Sequence, residues 1–206
     1  MDLPRRAYRA TTETIIKRSR FITDLARTDT EADARTFIAS VRSAYPDARH
    51  HCTAYVLDDD GQRLARSSDD GEPAGTAGIP MLNALTGAGL TNTAAVVTRY
   101  FGGVKLGAGG LARAYGGCVA SATAAVPRVR RETRAVWLVC LPHADAGRYQ
   151  EELLRAGAAV IDTAYDDTSV RLRLTLPDDP LGVVARATGG TVRPAPHGTQ
   201  VVELPV

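Results

Sequence analysis

Residues 99–117 read RYFGGVKLGAGGLARAYGG, and the chain is best read outward from them. Seven of the nineteen residues are glycine, three are the cations Arg99, Lys105 and Arg113, and no acid interrupts the run. Just before it, residues 93–98 form the apolar, β-branched run of a buried strand. Within and beyond it, Leu111, Tyr115, Cys118, Val119 and Ala122 recur at helical spacing and define one buried helix face. The order is strand, glycine-rich turn, helix. Glycine lets a backbone take positive φ or approach another surface closely, so this clustering implies a shaped surface. Upstream, residues 67–78 read SSDDGEPAGTAG, an acidic and equally turn-rich loop.

Working toward the N-terminus, residues 8–16 and 20–26 read as short strands rich in Thr and Ile. Thr30 is placed to cap a helix carrying Ala34, Phe37, Ile38 and Val41 at helical spacing, which Tyr45-Pro46 stops. Residues 53–57 and 62–67 pair as a hairpin around Asp58-Asp59-Asp60-Gly61. That turn lacks the later ligands and glutamate of an EF-hand loop, so it reads as a solvated tip. Met81, Leu82 and Leu85 suggest a short helix ended by Gly87 and Gly89.

Toward the C-terminus, periodicity lapses and charge accumulates at Pro127-Arg128-Val129-Arg130-Arg131, which reads as a linker. A second rhythm follows: strand 136–141, a helix from Asp145 closed by Gly157, strands 159–164 and 170–176, a helix opened by Asp178-Asp179-Pro180 and ended at Gly189-Gly190, and strand 200–204. This β-α-β-β-α-β order is the ferredoxin-like pattern. The expected fold class is α+β, with an N-terminal domain over residues 1–127 and a ferredoxin-like domain over 128–206.

The 206 residues are 44% hydrophobic, ample for packed cores, and the formal net charge of +2 does not by itself mark a nucleic-acid binder. The first twenty residues are locally basic, with Arg5, Arg6, Arg9, Lys17, Arg18 and Arg20 against Asp2 and Glu13. They read as a solvated arm or as a contact for an anionic partner. Cys52, Cys118 and Cys140 are odd in number and form no C-x-x-C pair, which argues for a reducing compartment. No signal-like apolar segment opens the chain and no run approaches a membrane span, so a cytoplasmic protein without membrane partners is expected.

Gly107-Ala108-Gly109-Gly110-Leu111-Ala112 satisfies the dinucleotide fingerprint formally, but five residues separate it from the preceding strand and no second parallel βαβ unit follows. A Walker A loop fails because Lys105 lacks a following Ser or Thr. What survives is a site for phosphate or RNA backbone. Glycines ahead of a helix expose N–H groups to an anion, and Arg99, Lys105 and Arg113 add charge. Alternatively, the glycines serve tight helix-on-strand packing. His50 and His51 with Cys52 offer too few ligands for zinc. Asp69, Asp70 and Glu72 are acid–base or magnesium candidates, or simply turn residues.

Several motifs together resemble one known family. They are Lys17-Arg18-Ser19-Arg20-Phe21, Ala48-Arg49-His50-His51-Cys52, Ser68-Asp69-Asp70-Gly71-Glu72-Pro73-Ala74-Gly75-Thr76-Ala77-Gly78, Arg99-Tyr100-Phe101-Gly102-Gly103 and the run from Leu106 to Gly117. The chain is identified by them as a member of the IMPACT family, nearly end to end. The resemblance implies an N-terminal domain of the elongation factor G domain IV type and a smaller ferredoxin-like domain. It also implies a setting in translation, since the eukaryotic relatives act in translational control through protein partners. It brings no catalytic residues, cofactor or metal.

Two functions follow as expectations. The first is a non-enzymatic binding protein that contacts RNA or the ribosome, or a protein partner in translation, and modulates translation or its stress response. Its contacts would come from Arg99, Lys105 and Arg113 with the amides of Gly102, Gly103, Gly107, Gly109 and Gly110. The alternative is a small-molecule enzyme that binds a phosphorylated substrate between the glycine segment and His50, Asp69, Asp70 and Glu72. An enzyme requires both motifs to meet in one concave site; a binding module spreads its cations along an open face.

Overall fold

Thr, Ile and Arg alternate through the N-terminal segment, and the chain answers with a hairpin. In the computed structural model, which describes residues 1–59, 61–176 and 179–206, β1 (Leu3–Pro4) precedes β2 (Arg9–Ile16) and β3 (Ser19–Arg27). β2 and β3 pair from Arg9↔Ala26 to Ile16↔Ser19, leaving Lys17 and Arg18 as a two-residue turn. Both lie at positive φ, 46° and 66°. Such turns match the strand twist but cost residues with side chains about 1–2 kcal/mol each. The basic N-terminal segment is therefore no arm. Arg9 and Arg20 sit on strands, Lys17 and Arg18 in the turn between them and Arg5 and Arg6 between β1 and β2, with Arg20 bound to Glu13 at 2.9 Å and lying 5.5 Å from the Tyr100 ring centroid.

α1 (Glu31–Ala44) begins where Thr30 and Asp33 cap each other reciprocally: each backbone N–H donates to the other's side chain, at 3.0 and 3.1 Å. Then come β4 (His50–Asp59), β5 (Gln62–Ser68), α2 (Gly78–Gly87), β6 (Thr93–Tyr100) and α3 (Ala108–Ala124). Asp60, in the turn before β5, lies outside the described residues. The strands form one antiparallel sheet in the order β2-β3-β6-β4-β5. On one face, Phe21, Leu25, Cys52 and Val97 pack under α2 and α3, whose Met81, Tyr115 and Val119 fill that core. On the other, Tyr55, Leu57 and Val96 pack against Phe37 and Val41 of α1. With helices on both sides, central β6 is buried almost throughout, hence its unbroken apolar run.

β7 (Arg128–Pro142) starts where the sequence suggests a linker. Its first two residues pair with β1, Pro4↔Arg128 and Leu3↔Val129. The stretch looks irregular because Val129 is buried while Arg130 and Arg131 are exposed, and a single buried position carries no readable period. After β7 come α4 (Ala146–Arg155), β8 (Ala159–Tyr165), β9 (Ser169–Thr175), α5 (Pro180–Thr188) and β10 (Ala195–Pro205). The order β10-β7-β9-β8 is the ferredoxin-like sheet. Its core gathers Val139, Leu141, Leu172 and Leu174 against Tyr149, Leu153 and Val184. Asp179 caps α5 through the Gly182 N–H at 3.1 Å, while Asp178 lies outside the described residues. The chain divides into two compact units, Met1–Arg130 with Leu204–Val206, and Arg131–Glu203.

Two glycines of the 99–117 run are used in opposite ways. A Cβ on Gly102 would fall 1.9 Å from the Arg18 carbonyl oxygen, so the loop after β6 can lie on the β2–β3 turn only without a side chain there. A Cβ on Gly117, inside α3, would meet nothing within 4 Å. Gly102→Ala should therefore lose about 1–3 kcal/mol through forced backbone displacement. Gly117→Ala should gain about 0.5–1 kcal/mol from helix propensity. Urea unfolding of the two variants beside the parent chain checks the opposite signs.

Candidate functional site

Alternation along β6 puts Arg99 on the same sheet face as Val97, so its guanidinium enters the layer beneath α3 instead of solvent. Arg99 is 7% exposed. Its Nη1 donates to Glu72 Oε1 at 2.7 Å, and Nη2 donates to Ser19 Oγ at 3.4 Å. Glu72, 8% exposed, also accepts the Tyr115 hydroxyl at 2.8 Å. Ser19 Oγ in turn accepts the Gly102 N–H at 3.3 Å. One buried charge pair thus ties the acidic loop, β3, β6, α3 and the glycine loop together. The Arg99 guanidinium lies between two rings, 5.6 Å from the centroids of both Phe21 and Phe101. Its Nε is buried and has no partner among the described residues.

The other acids of the loop have structural work. Asp69 accepts the N–H groups of Gly75, Ala77 and Gly78 at 2.8, 2.9 and 2.8 Å, closing the loop onto the start of α2. Burial pushes its carboxyl up, but those donors outweigh it and hold the group below the ordinary carboxylate value. Asp70 accepts the His51 N–H at 2.7 Å and pairs with Arg42. Here too burial raises the carboxyl and the donors more than offset it. Cys52 is no nucleophile: burial lifts its thiol to about 12, and Sγ donates to the Asp69 carbonyl at 2.9 Å. Cys118 is buried as well.

The acidic loop and the glycine segment do meet. Together they line a cleft of about 630 Å³, whose walls include Arg49, His50, Glu72, Arg99, Phe101 and Lys105. His50 Nδ1 lies 2.9 Å from the Asp70 carbonyl, an acceptor, so Nδ1 carries the proton. His51 points to the opposite side of β4 and reaches the Tyr45 carbonyl at 3.0 Å through Nε2. Gly107 and Ala108 bring the start of α3 to the same cleft. Gly107, at φ 72°, makes the turn into the helix, no side chain caps that end, and no acid sits in its first turn. The first helical bond runs from the Leu111 N–H to the Gly107 carbonyl at 2.9 Å. The preceding amides are thus left to solvent or a ligand.

Of the expected cations, Lys105 is exposed and lines the cleft, whereas Arg99 is spent on Glu72. Arg113 is exposed outside the lining, its Nη1 3.6 Å from where a Gly109 Cβ would stand. Gly102 serves close packing, as described above. Gly103, Gly109 and Gly110 lie along the loop and the first turn of α3. Sequence reasoning passed over two residues. Arg49 is exposed in the cleft wall, and Phe101 is 59% exposed there. An aromatic pair directly after a cation, Arg99-Tyr100-Phe101, was the signal available. Among the described residues no group of three or more His, Cys, Asp or Glu could hold a metal ion, and no helix is long and apolar enough to cross a membrane.

Because one partner's removal strands the other charge in the core, Glu72→Ala should cost about 3–5 kcal/mol, and a paired Glu72→Leu/Arg99→Met exchange far less than the two single changes summed. Urea midpoints of the parent, Glu72→Ala, the two single exchanges and the paired exchange check this. The depressed carboxyls of Asp69 and Asp70 add stability that is complete above the unfolded value of about 3.9 and is lost as pH falls through the lower folded values. Asp69→Asn should flatten that acid limb in urea midpoints followed from about pH 6 to 2.

Comparison with known proteins agrees with this layout. The model of the Impact N-terminal domain matches residues 17–123, a span that includes the cleft described above. The chain is 47% identical over 165 residues to the IMPACT family member YigZ of Escherichia coli, covering 79% of each protein. It is 43% identical over 155 residues to YvyE of Bacillus subtilis, covering 75% of this chain and 71% of that one. A crystal structure of a hypothetical protein superposes with a TM-score of 0.58 at 38% identity, covering 94% of this chain and 95% of the other. With a family domain spanning more than half its length and relatives of this identity, the chain belongs to the IMPACT family.

Proposed function

We propose that the protein is a non-enzymatic binding module of translation that contacts RNA phosphates through the cleft beside α3. The observation that carries this is the uncapped, acid-free N-terminus of α3, opening into a cleft lined by the exposed cations Arg49 and Lys105. Free amides at a helix start and fixed positive charge are the ordinary means of holding a phosphate. The β2–β3 turn adds to it. Lys17 and Arg18 keep exposed cationic side chains at positive φ, where Asn-Gly would sit with less strain, and the Arg18 backbone packs on Gly102 of the cleft loop. Strain retained next to a candidate site points to a use for those side chains. Translation is the setting that the family resemblance supports, and regulation of it is the role.

A second reading, a site for a small phosphorylated molecule, is favoured by one observation: the cleft is concave and brings both motifs together with His50. Against a catalytic version stand the three acids, since Asp69 and Asp70 satisfy backbone amides and Glu72 is locked on Arg99 and Tyr115.

Binding through phosphates is read from its salt dependence. A short unstructured RNA titrated by fluorescence anisotropy should lose affinity linearly in log salt. Lys105→Ala and Arg49→Ala should each lower that slope by about 0.7, the counterion share of one single-strand phosphate. Arg99 is left intact, because its loss would unfold the site. No binding at low salt, or unchanged slopes in both variants, would sink the proposal.

A further inference from the structure

The ring of Phe101 is held in a way that packing alone does not require. One face lies toward the Arg99 guanidinium, which Glu72 and Ser19 fix from below. Yet the residue remains 59% exposed at the cleft wall. Val104, in the same loop, is exposed as well. A large apolar ring held at the wall of a charged cleft is a platform on which a flat group can stack. Beneath it, Arg99 is more than nine-tenths buried, lines the cleft, and carries an Nε–H with no partner among the described residues. The α3 amides and Lys105 belong to the same cleft.

We infer that the cleft takes one unstacked nucleotide, its base lying on Phe101 and its phosphate at the start of α3 between Lys105 and the helix amides. This rests on the RNA reading above and narrows it to single-stranded RNA. The dimensions favour it. A cleft of about 630 Å³ falls in the range of roughly 300–1,000 Å³ that single small ligands occupy, a size that suits one splayed nucleotide. The chemistry favours it too. Base stacking on an aromatic face tolerates any base and is insensitive to salt, while the phosphate contact is salt-dependent. The guanidinium under Phe101 fixes the ring before a ligand arrives and so lowers the ordering cost of binding. His50, with Nδ1 committed to the Asp70 carbonyl, leaves Nε2 as an acceptor for a base or ribose donor.

The experiment separates stacking from charge. Fluorescence anisotropy is measured with a short oligoadenylate, an abasic ribose-phosphate oligomer of the same length and a duplex RNA, against the parent protein, Phe101→Ala, Phe101→Trp and Lys105→Ala. Phe101→Ala should weaken oligoadenylate binding about tenfold or more at every salt concentration with an unchanged salt slope, and Phe101→Trp should restore it. The abasic oligomer should bind the parent and Phe101→Ala alike, and more weakly than oligoadenylate. Lys105→Ala should weaken both single-stranded probes and reduce their slopes. Equal affinity of the parent for oligoadenylate and abasic oligomer, a silent Phe101→Ala, or tighter binding of duplex would overturn the single-nucleotide site while leaving phosphate binding standing. No binding of any probe at low salt would overturn both. Thermal melts of each variant show that the fold is retained.

Discussion

The buried pair between Arg99 and Glu72 is the constraint on which the N-terminal unit depends. An arginine brought into a low-dielectric layer must be neutralised by a partner, and each donor left unpaired there adds to the cost. Here the partner arrives from a loop 27 residues upstream, together with the Tyr115 hydroxyl and Ser19. The pair therefore dictates where the acidic loop crosses the sheet, how α3 lies over it and where the glycine loop turns. Phe21 contributes from below, meeting Tyr115 edge to face at 5.3 Å while flanking the guanidinium. Well-packed apolar residues would often be as stable at such a position. What the ion pair adds is direction: the guanidinium is fixed at one end by Glu72 and lies over the Phe101 ring at the cleft, 5.6 Å from its centroid.

The remaining acids of the loop make that arrangement affordable. Asp69 gathers three amides at the entry to α2, and Asp70 holds β4 through the His51 N–H. With its own polar groups satisfied, the loop delivers Glu72 without a floppy approach. Acid-rich turn chemistry that looks catalytic in isolation is thus scaffold; the cleft wall itself carries the cations Arg49 and Lys105, the Phe101 ring, His50 and one exposed acid, Asp47, which accepts the Tyr100 hydroxyl.

Much of the fold was legible because it is local. Thr30 with Asp33 announces α1, the unbroken run ending in β6 announces a strand covered on both faces, and the β-α-β-β-α-β rhythm of the second unit announces its ferredoxin-like sheet. The errors share a cause, which is dependence on distant contacts. Arg99 looks like a surface cation because nothing near it in sequence is acidic; Glu72 lies 27 residues upstream, with α2 and most of β6 between the two. Residues 128 and 129 look irregular because their strand partners are Pro4 and Leu3, at the other end of the chain, although the division between the two units does fall at Arg130 and Arg131. The N-terminal charges look like an arm because a Lys17-Arg18 turn carries none of the Asn-Gly signature of a hairpin. Of the candidate site, the glycine segment and His50 were legible as motif, while the exposed ring of Phe101 acquires meaning only once Arg99 is seen beneath it.

Consistency between levels gives the last step. A chain selected for stability alone would relieve the strain at Lys17 and Arg18 with glycine, fill the Arg99–Glu72 layer with apolar side chains and bury Phe101. It does none of these. The three departures lie around one loop: Arg18 against Gly102, Arg99 against Phe101, and Phe101 itself at the cleft. Left-handed non-glycine residues also occur outside the cleft lining, at Ala7, Asn92 and Asp179, so it is the meeting of these three features at one concave site that motivates the proposed binding. The cations explain attraction to an anion, and the ring explains why an anion alone is an incomplete ligand. A group with both charge and a flat face, as in the proposed unstacked nucleotide, would use the Phe101 ring and the cations of the cleft together.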